Sequence, residues 1–263
     1  MTMNFAVIGH PISHSLSPAM HHANFKSLGL DYSYIALDIN PNHFHHIRDI
    51  MAEREIDGFN VTIPFKTAII DYLDEVDDLA LKMGAVNTVK IVEGKWTGYN
   101  TDATGFIESL PPKEYSHVLL IGAGGASRAI AQGFAAKGAD VTVANRSPER
   151  LADWPFEVHK ITLDDIERFA DRADLLINTT PVGMTGFEDE MLYDFKSVHP
   201  DAVVADIIYT PSMTPFLKLA DRLGLTTVNG LGMFINQGAQ SFEIWTGLKA
   251  DRTAMTECVK NYL

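Results

Sequence analysis

The sequence predicts an α/β protein of two domains: an N-terminal α/β domain with a mixed, mainly parallel sheet, then a doubly wound one. C-terminal helices return to the first domain. Three observations predict it. Short apolar runs closed by Gly or a polar residue alternate with helix-length segments, the pattern of βαβ units. A glycine loop, Gly122-Ala123-Gly124-Gly125-Ala126-Ser127, follows an apolar run and opens a helical one, with about a hundred residues ahead of it, enough for a separate domain. The chain then ends in two helical segments with no strand between them, which must pack on something already built. The domains fall at 1–102 with 231–263, and at 103–230.

Each element has its own signal. Phe5-Ala6-Val7-Ile8-Gly9 reads as a buried parallel strand. His10 to Ser17 is a loop, and Pro18 opens a helix through Leu28 because proline suits a first turn. Gly29 stops it. Tyr32 to Leu37 is a strand, Pro41 to Ala52 a helix, and Gly58 to Ile63 a strand. Helices follow over Phe65 to Leu73 and Asp77 to Met83. Val86 to Val92 and Lys95 to Gly98 form a hairpin about Glu93-Gly94. Asp102 starts a helix to Leu110, and Pro111-Pro112 breaks it. His117 to Ile121, Asp140 to Ala144, Ala173 to Asn178, Ala202 to Ile207 and Leu225 to Val228 are strands. Gly125 to Lys137 is a helix between the first two of these. Leu231 to Trp245 and Asp251 to Tyr262 are the closing helices, the first of which crosses back to the N-terminal domain.

Composition narrows the function classes. Of 263 residues 46% are hydrophobic and 21% charged, ordinary for a globular protein. The formal net charge of −13 argues against nucleic-acid binding. Cys258 is the only cysteine, so no internal disulfide exists, which fits a reducing compartment. No run approaches the ~18 apolar residues of a membrane span, and the N-terminus lacks a basic start with a long apolar core. A cytoplasmic protein without membrane attachment is the expectation, as monomer or homodimer.

The glycine loop sits where a dinucleotide fingerprint must sit, between a strand and a helix. Gly122 permits the tight turn and Gly124 lets the backbone approach a pyrophosphate. The helix N-terminus, through Gly125 and Ala126, supplies free amides and a positive dipole end. The third fingerprint position is Ser127, small but not Gly. After the next strand an acidic residue would favour NAD. Here Asn145-Arg146-Ser147 stands there, with Arg150 beyond it. Two guanidinium groups and a hydroxyl suit a 2′-phosphate, so NADP(H) is expected. Glu149 opposes this by its charge, and Arg146 and Arg150 also read as solvated surface residues.

The first domain carries a second set. Ser15 and Ser17 precede a helix; both hydroxyls could grip a carboxylate, although Ser17 ahead of Pro18 is also a natural N-cap. Lys66 stands in a predicted first turn, where the helix dipole disfavours a cation, a local conflict of the kind found at sites. Asp102 and Asn87 lie at element ends, where capping and turn roles also explain them. Ser15, Ser17, Thr62, Lys66, Asn87, Thr101 and Asp102 together fall at or near element ends, where open α/β sheets bind ligands. They offer partners for a polyhydroxylated ring bearing a carboxylate, with Lys66 and Asp102 as the proton-transfer pair.

These segments carry a resemblance. Gly9-His10-Pro11-Ile12-Ser13-His14-Ser15-Leu16-Ser17-Pro18, Asn60 to Lys66, Gly84 to Thr88, Asn100-Thr101-Asp102, the Gly122 loop, Asn145-Arg146-Ser147 and Asn229-Gly230-Leu231-Gly232-Met233 occur in the order seen in shikimate dehydrogenases. The sequence resembles that family along essentially its whole length. The resemblance implies a Rossmann-type NADP-binding domain beside a substrate domain. It also implies NADPH-dependent reduction of 3-dehydroshikimate to shikimate, on the route to chorismate and aromatic amino acids. By it, Ser15 and Ser17 hold the substrate carboxylate. Thr62, Lys66, Asn87, Asp102 and Gln237 hold the ring hydroxyls, and Tyr209 completes the pocket. Gly122, Ala123, Gly124, Gly125, Ala126, Asn145, Arg146, Ser147 and Arg150 take the cofactor's phosphates and adenosine end. Ile207 and Gly230 lie by the nicotinamide, and Asp78 matches a position that can also touch the cofactor. The loop Asn178 to Met184 matches one near the cofactor, and His10 stands where Asn is usual.

Other features read as structure. His43, His45 and His46 share a helix with no carboxylate or Cys at ligand spacing, so no metal site is expected. His21 and His22 read as helix surface or core edge, and Cys258 as a small buried side chain. Three further functions compete: a dual shikimate/quinate dehydrogenase, a dehydrogenase for folate one-carbon units, and a cofactor-sensing regulatory protein. The second lacks support from Ser15-Leu16-Ser17, and retention of Lys66 and Asp102 disfavours the third.

Overall fold

The computed structural model describes residues 2–151, 154, 156–187 and 192–263, and for Pro148 and Arg150 the backbone only. The chain forms two compact units, Met1–Thr101 with Ile235–Tyr262, and Asp102–Phe234. The sequence reading places its junctions at 102/103 and 230/231.

The first unit contains β1 (Asn4–Gly9), α1 (Ser17–Ser27), β2 (Ser33–Asp38), α2 (Ile47–Glu53), β3 (Gly58–Val61), β4 (Glu75–Val76), α3 (Asp78–Met83), β5 (Thr88–Val92) and β6 (Lys95–Tyr99). Its sheet has the order β2-β1-β3-β5-β6-β4. β1 pairs in parallel with β2 and β3, and β4 with β6; β5 runs antiparallel to β3 and β6. Alternation along β1 divides the core. Ala6 and Ile8 join Phe44, Ile47, Met51 and Phe59 on one face, while Phe5 and Val7 join Phe25, Tyr34, Phe242 and Trp245 on the other.

The second unit contains α4 (Asp102–Ile107), β7 (His117–Ile121), α5 (Gly125–Ala135), β8 (Asp140–Ala144), β9 (His159–Ile161), α6 (Glu167–Ala170), β10 (Leu175–Asn178), β11 (Val203–Asp206), α7 (Pro215–Arg222) and β12 (Thr226–Val228). Its sheet is wholly parallel in the order β12-β11-β10-β7-β8-β9. This is the doubly wound order, with the reversal of winding beside β7. β10 and β11 are buried on both faces, so their sequences are continuous apolar runs rather than alternating ones.

The chain closes with α8 (Leu231–Thr246) and α9 (Arg252–Lys260). From Ile235 onward both belong to the first unit, so the C-terminal helices do return to it. Trp245 stacks on Phe5 at 4.7 Å between centroids, and its indole N–H donates to the Val89 carbonyl at 2.9 Å. Gly58 leaves room for that ring, because a Cβ there would lie 2.6 Å from it. Each such aromatic contributes on the order of 3 kcal/mol by burial.

Three expected helices differ. Pro41–His46 is a 3-10 turn that precedes α2: Asn40 accepts from Asn42 N through its side chain and from His43 N through its carbonyl, tightening the start. The segment after Pro64 is not helical until Ala68–Tyr72, again 3-10, because the Lys66 carbonyl is taken by Val86 N at 2.8 Å. α4 ends at Ile107, where Ser109 Oγ donates to the Phe106 carbonyl at 2.6 Å. β4, β9, α6 and α7 are elements that the sequence reading does not contain.

Candidate active site

In the first unit several of the expected site residues follow the ends of β1 and β3. Thr62 N donates to the Ile8 carbonyl at 2.9 Å, which sets the end of β3 against β1. A Cβ on Gly9 would lie 2.6 Å from the Thr62 methyl, so only glycine permits this approach. Ser17 is not the N-cap that the sequence reading entertains. Helix α1 already includes it, Leu16 holds the capping position without a side-chain bond, and Pro18 follows. Ser15 Oγ accepts from Ser17 N at 3.3 Å, so the two serines are held as a pair. Ser17 is 8% exposed and hydrogen-bonds the phenol of Tyr34, whose pKa burial pushes well up. His10 turns to Asp38, with Nδ1 and Oδ1 2.5 Å apart.

Asn87 and Thr101 belong to one buried network. Asn87 Nδ2 donates to Thr101 Oγ1 at 2.9 Å, and Thr101 N donates back to Asn87 Oδ1 at 2.8 Å. Thr88 Oγ1 also donates to Asn87 Oδ1, at 3.0 Å. Behind them stands Asn60. Its Nδ2 donates to Ser241 Oγ at 2.9 Å, to the Asn87 carbonyl at 3.1 Å and to Thr88 Oγ1 at 3.2 Å, while its Oδ1 accepts from Tyr34 at 2.8 Å. Ser241 and Gln237 share α8, and Ser241 Oγ donates to the Gln237 carbonyl at 2.8 Å. Asn60, Thr88 and Ser241 escape the sequence reading as site residues. The signal for Asn60 was its amide inside an otherwise apolar strand. Lys66 is half-buried, one residue past Phe65, with its backbone tied beside Asn87 through Val86. Asp102 opens α4 in the second unit and is buried. Asp78 is exposed at the first turn of α3, next to Asp77, which caps Leu79 N.

His21 corrects the reading of a surface or core-edge residue. It is fully buried, stacked 4.3 Å from Tyr34, and neither ring nitrogen has a protein partner. Burial, with a smaller contribution from His22, lowers its pKa to about 3. Cys258 is only partly buried, its thiol 3.4 Å from the Ala19 carbonyl.

The second unit presents the glycine loop at the end of β7. Gly122 has φ +117°, and a Cβ there would lie 2.6 Å from Thr179 Oγ1. Gly124 is different: nothing lies within 4 Å of its Cβ position, and Gly124 and Gly125 are exposed. The loop is therefore packed on one side and open on the other, ahead of the α5 N-terminus, which is the cradle a pyrophosphate needs. Ser127 closes it, donating from Oγ to the Gly122 carbonyl at 2.7 Å. This bond explains a serine in the third fingerprint position. After β8, Asn145 Nδ2 donates to the Ser147 carbonyl at 2.8 Å, and Arg146 is exposed beside it. The Arg150 side chain lies outside the described residues.

Gly230 and the Ile207–Tyr209 turn fit together closely. Gly230 N donates to the Ile208 carbonyl at 2.9 Å, and a Cβ on Gly230 would lie 2.0 Å from the Ile207 oxygen. Tyr209 stacks on Phe234 at 4.7 Å, and burial raises its pKa. Beneath the turn Asp206 is wholly buried. Desolvation raises its pKa to about 6 against the pull of three donors, Ile208 N, Asn178 Nδ2 and Thr214 Oγ1. Among the described residues no His, Cys, Asp and Glu group could hold a metal, and no helix is long and apolar enough to cross a membrane.

A wholly parallel sheet wound both ways from β7, with an open glycine loop at its end, defines a Rossmann-type α/β protein. Comparison with known proteins narrows the class. Residues 7–89 match the shikimate dehydrogenase substrate binding domain, 108–231 the shikimate/quinate 5-dehydrogenase family, and 230–260 the shikimate 5'-dehydrogenase C-terminal domain. The shikimate dehydrogenase (NADP(+)) of Staphylococcus aureus strain MRSA252 is 48% identical over 266 residues, 99% of each chain. The chain belongs to the shikimate dehydrogenase family. Among solved structures, the Thermus thermophilus shikimate 5-dehydrogenase in complex with NADP(H) and shikimate is 38% identical, with a TM-score of 0.91 over 99% of this chain and 100% of that one. The 5-ketofructose reductase of Gluconobacter sp. strain CHM43 is 32% identical, with a TM-score of 0.88 over 100% and 99%. One fold thus serves different substrates, and the site must choose among them.

Proposed function

We propose that the chain catalyses the reversible, NADPH-dependent reduction of 3-dehydroshikimate to shikimate, on the route to chorismate and aromatic amino acids. The observation that carries this reading is the anchoring of Lys66 beside Asn87: the Lys66 carbonyl accepts from Val86 N, and the Asn87 side chain is locked to Thr101. The Lys66 backbone is thereby fixed beside an ordered amide and hydroxyls, which suit a hydroxylated ring with a carbonyl. Residues 1–102 and 231–263 act as the substrate-binding domain, and 103–230 as the cofactor domain. The enzyme works in the cytoplasm as a monomer or homodimer.

The open side of Gly124 suits a dinucleotide pyrophosphate, met by the backbone of Gly122, Ala123, Gly124, Gly125 and Ala126. Asn145, Arg146, Ser147 and Arg150 take the adenosine end with its 2′-phosphate, and Ile207 and Gly230 flank the nicotinamide, with Asp78 a further contact. When bound, the reduced cofactor supplies the hydride. Ser15 and Ser17 donate to the substrate carboxylate. Thr62, Asn87, Thr101, Tyr209 and Gln237 orient the ring. Lys66 Nζ delivers a proton to the C3 oxygen as it becomes an alkoxide and stabilises the developing charge. Asp102 accepts a hydrogen bond from the adjacent hydroxyl and orients Lys66.

Absorbance at 340 nm tests the reading, with shikimate and NADP or NAD in parallel, then quinate. Rapid reduction with shikimate and NADP is expected. Silence with every pair, in folded protein that binds NADPH, would favour a cofactor-sensing role. Lys66→Ala should lower kcat by ~10²–10⁴-fold with a smaller change in KM. A steep rise in KM with kcat retained would make Lys66 a binding residue instead.

A further inference from the structure

Asp206 is a buried carboxylate that the proposed chemistry does not use. All three of its partners are donors. Ile208 N donates to Oδ1 at 2.9 Å; Asn178 Nδ2 at 3.0 Å and Thr214 Oγ1 at 2.8 Å donate to Oδ2. Two of the three cannot reverse that role. A backbone N–H only donates. The Asn178 amide is oriented by Thr180, whose N and Oγ1 both donate to Asn178 Oδ1 at 2.9 and 2.7 Å, and its Nδ2 also donates to the Val182 carbonyl at 3.0 Å. Thr214 Oγ1 already accepts from Leu217 N as the N-cap of α7. Such a donor set fits an acceptor-only group, which among side chains is an ionised carboxylate. Its partners come from three segments: the end of β10, the turn after β11 and the start of α7. Gly230 in turn is seated on the Ile207–Ile208 backbone.

We propose that Asp206 is a positioning residue for the hydride-transfer step, which fixes the Ile207–Tyr209 turn and the Asn178–Thr180 loop through one carboxylate. This rests on the reading that Ile207 and Gly230 flank the nicotinamide. The carboxylate touches no reacting atom. It acts by denying the turn a second arrangement, because moving Ile208 N breaks a charge-assisted bond in a dry interior. The cofactor's pyrophosphate is held elsewhere, by the Gly122 loop. Loss of the carboxylate should therefore separate catalysis from cofactor affinity.

The test uses the full chain as wild type, Asp206→Asn, Thr214→Val and Thr214→Ser. NADPH affinity is read by nucleotide fluorescence without shikimate, kcat with saturating shikimate and NADP, and folding by circular dichroism. Asp206→Asn places an amide N–H against donors and should lower kcat by about tenfold or more, with the NADPH Kd within about threefold. Thr214→Val should lower kcat in the same direction by less, and Thr214→Ser, which keeps the donor, should restore it. If the folded Asp206→Asn enzyme keeps wild-type kcat, or loses NADPH affinity in proportion to kcat, the proposal is overturned. Should Asp206→Asn not fold, Thr214→Val decides, and wild-type kcat there overturns it equally. A wild type that turns over no shikimate refutes the functional reading instead.

Discussion

Gly230→Ala adds one methyl group at a glycine packed directly against backbone. Its Cβ would lie 2.0 Å from the Ile207 oxygen, 2.4 Å from that carbonyl carbon and 3.0 Å from the Ile208 carbon. An ordinary non-bonded separation is about 3.5 Å, so the overlap exceeds ~1 Å. All three atoms are backbone, so no rotamer change relieves it. The turn cannot move freely either, because Ile207 N is bonded to the Asn178 carbonyl and Ile208 N to Asp206. Overpacking of this kind costs about 1–3 kcal/mol, which at about 2–4 °C per kcal/mol for a chain of this size lowers Tm by ~2–12 °C. A displacement near 1 Å beside the reacting centre costs about 10²-fold in rate. Differential scanning calorimetry and initial rates at 340 nm measure both. A variant with wild-type Tm and wild-type kcat would refute the packing argument at Gly230 and the placement of the turn beside the nicotinamide.

Gly124→Ala is the complement: its Cβ enters open space, so Tm should hold while the KM for NADP rises, and an unchanged KM would mean that no pyrophosphate lies there. Asn60→Ala strips the Tyr34 phenol of its acceptor and opens a void, at a cost of about 2–4 kcal/mol in urea denaturation; less than ~0.5 kcal/mol would show that the network is not a stabilising one. His21 is kept neutral by burial, its pKa lowered from 6.5 to about 3, so its contribution is fully present above about pH 6.5 and is lost as pH falls toward 3. Asp206 has the opposite sign, its contribution being present below about 3.8 and lost as pH rises through about 6, but it is common to wild type and His21→Phe. From pH 7 to 4 the wild type should therefore lose stability relative to His21→Phe, by up to ~1.4 kcal/mol per pH unit, and a pH-independent difference would contradict the buried, neutral imidazole.

The parallel strands and the glycine loop were legible because their signals are local. A strand buried on both faces must be apolar throughout, as Leu119-Leu120-Ile121 is, and a turn with φ +117° must hold glycine. The placement of Ser15, Lys66 and Asn87 at element ends was legible for the same reason. What escaped depends on distant partners. Helix after Pro64 fails because Val86 claims the Lys66 carbonyl, which no window around Lys66 contains. Asn60 reads as a strand residue until Ser241, far along the chain, is seen to face it. His21 looks like a polar helix face, yet Tyr34 and Trp245 enclose it. α7 was legible and overlooked: Thr214-Pro215 is a cap followed by an N-terminal proline.

The first unit is assembled from both ends of the chain. Phe5 lacks its stacking partner, and Asn60 and Thr88 lack Ser241, until residues 241–245 exist. The Asp102–Phe234 unit needs no such wait, since one uninterrupted stretch supplies it. On the ribosome the order of folding is therefore the reverse of the order of synthesis: the half made first stays incomplete, with apolar surface unsatisfied, while the half made second closes. A chain truncated after Phe234 should show a protease-resistant core mapping to 102–234 and a cleavable N-terminal hundred residues. Residues 235–262 thus act as a completion signal, without which the first unit does not close.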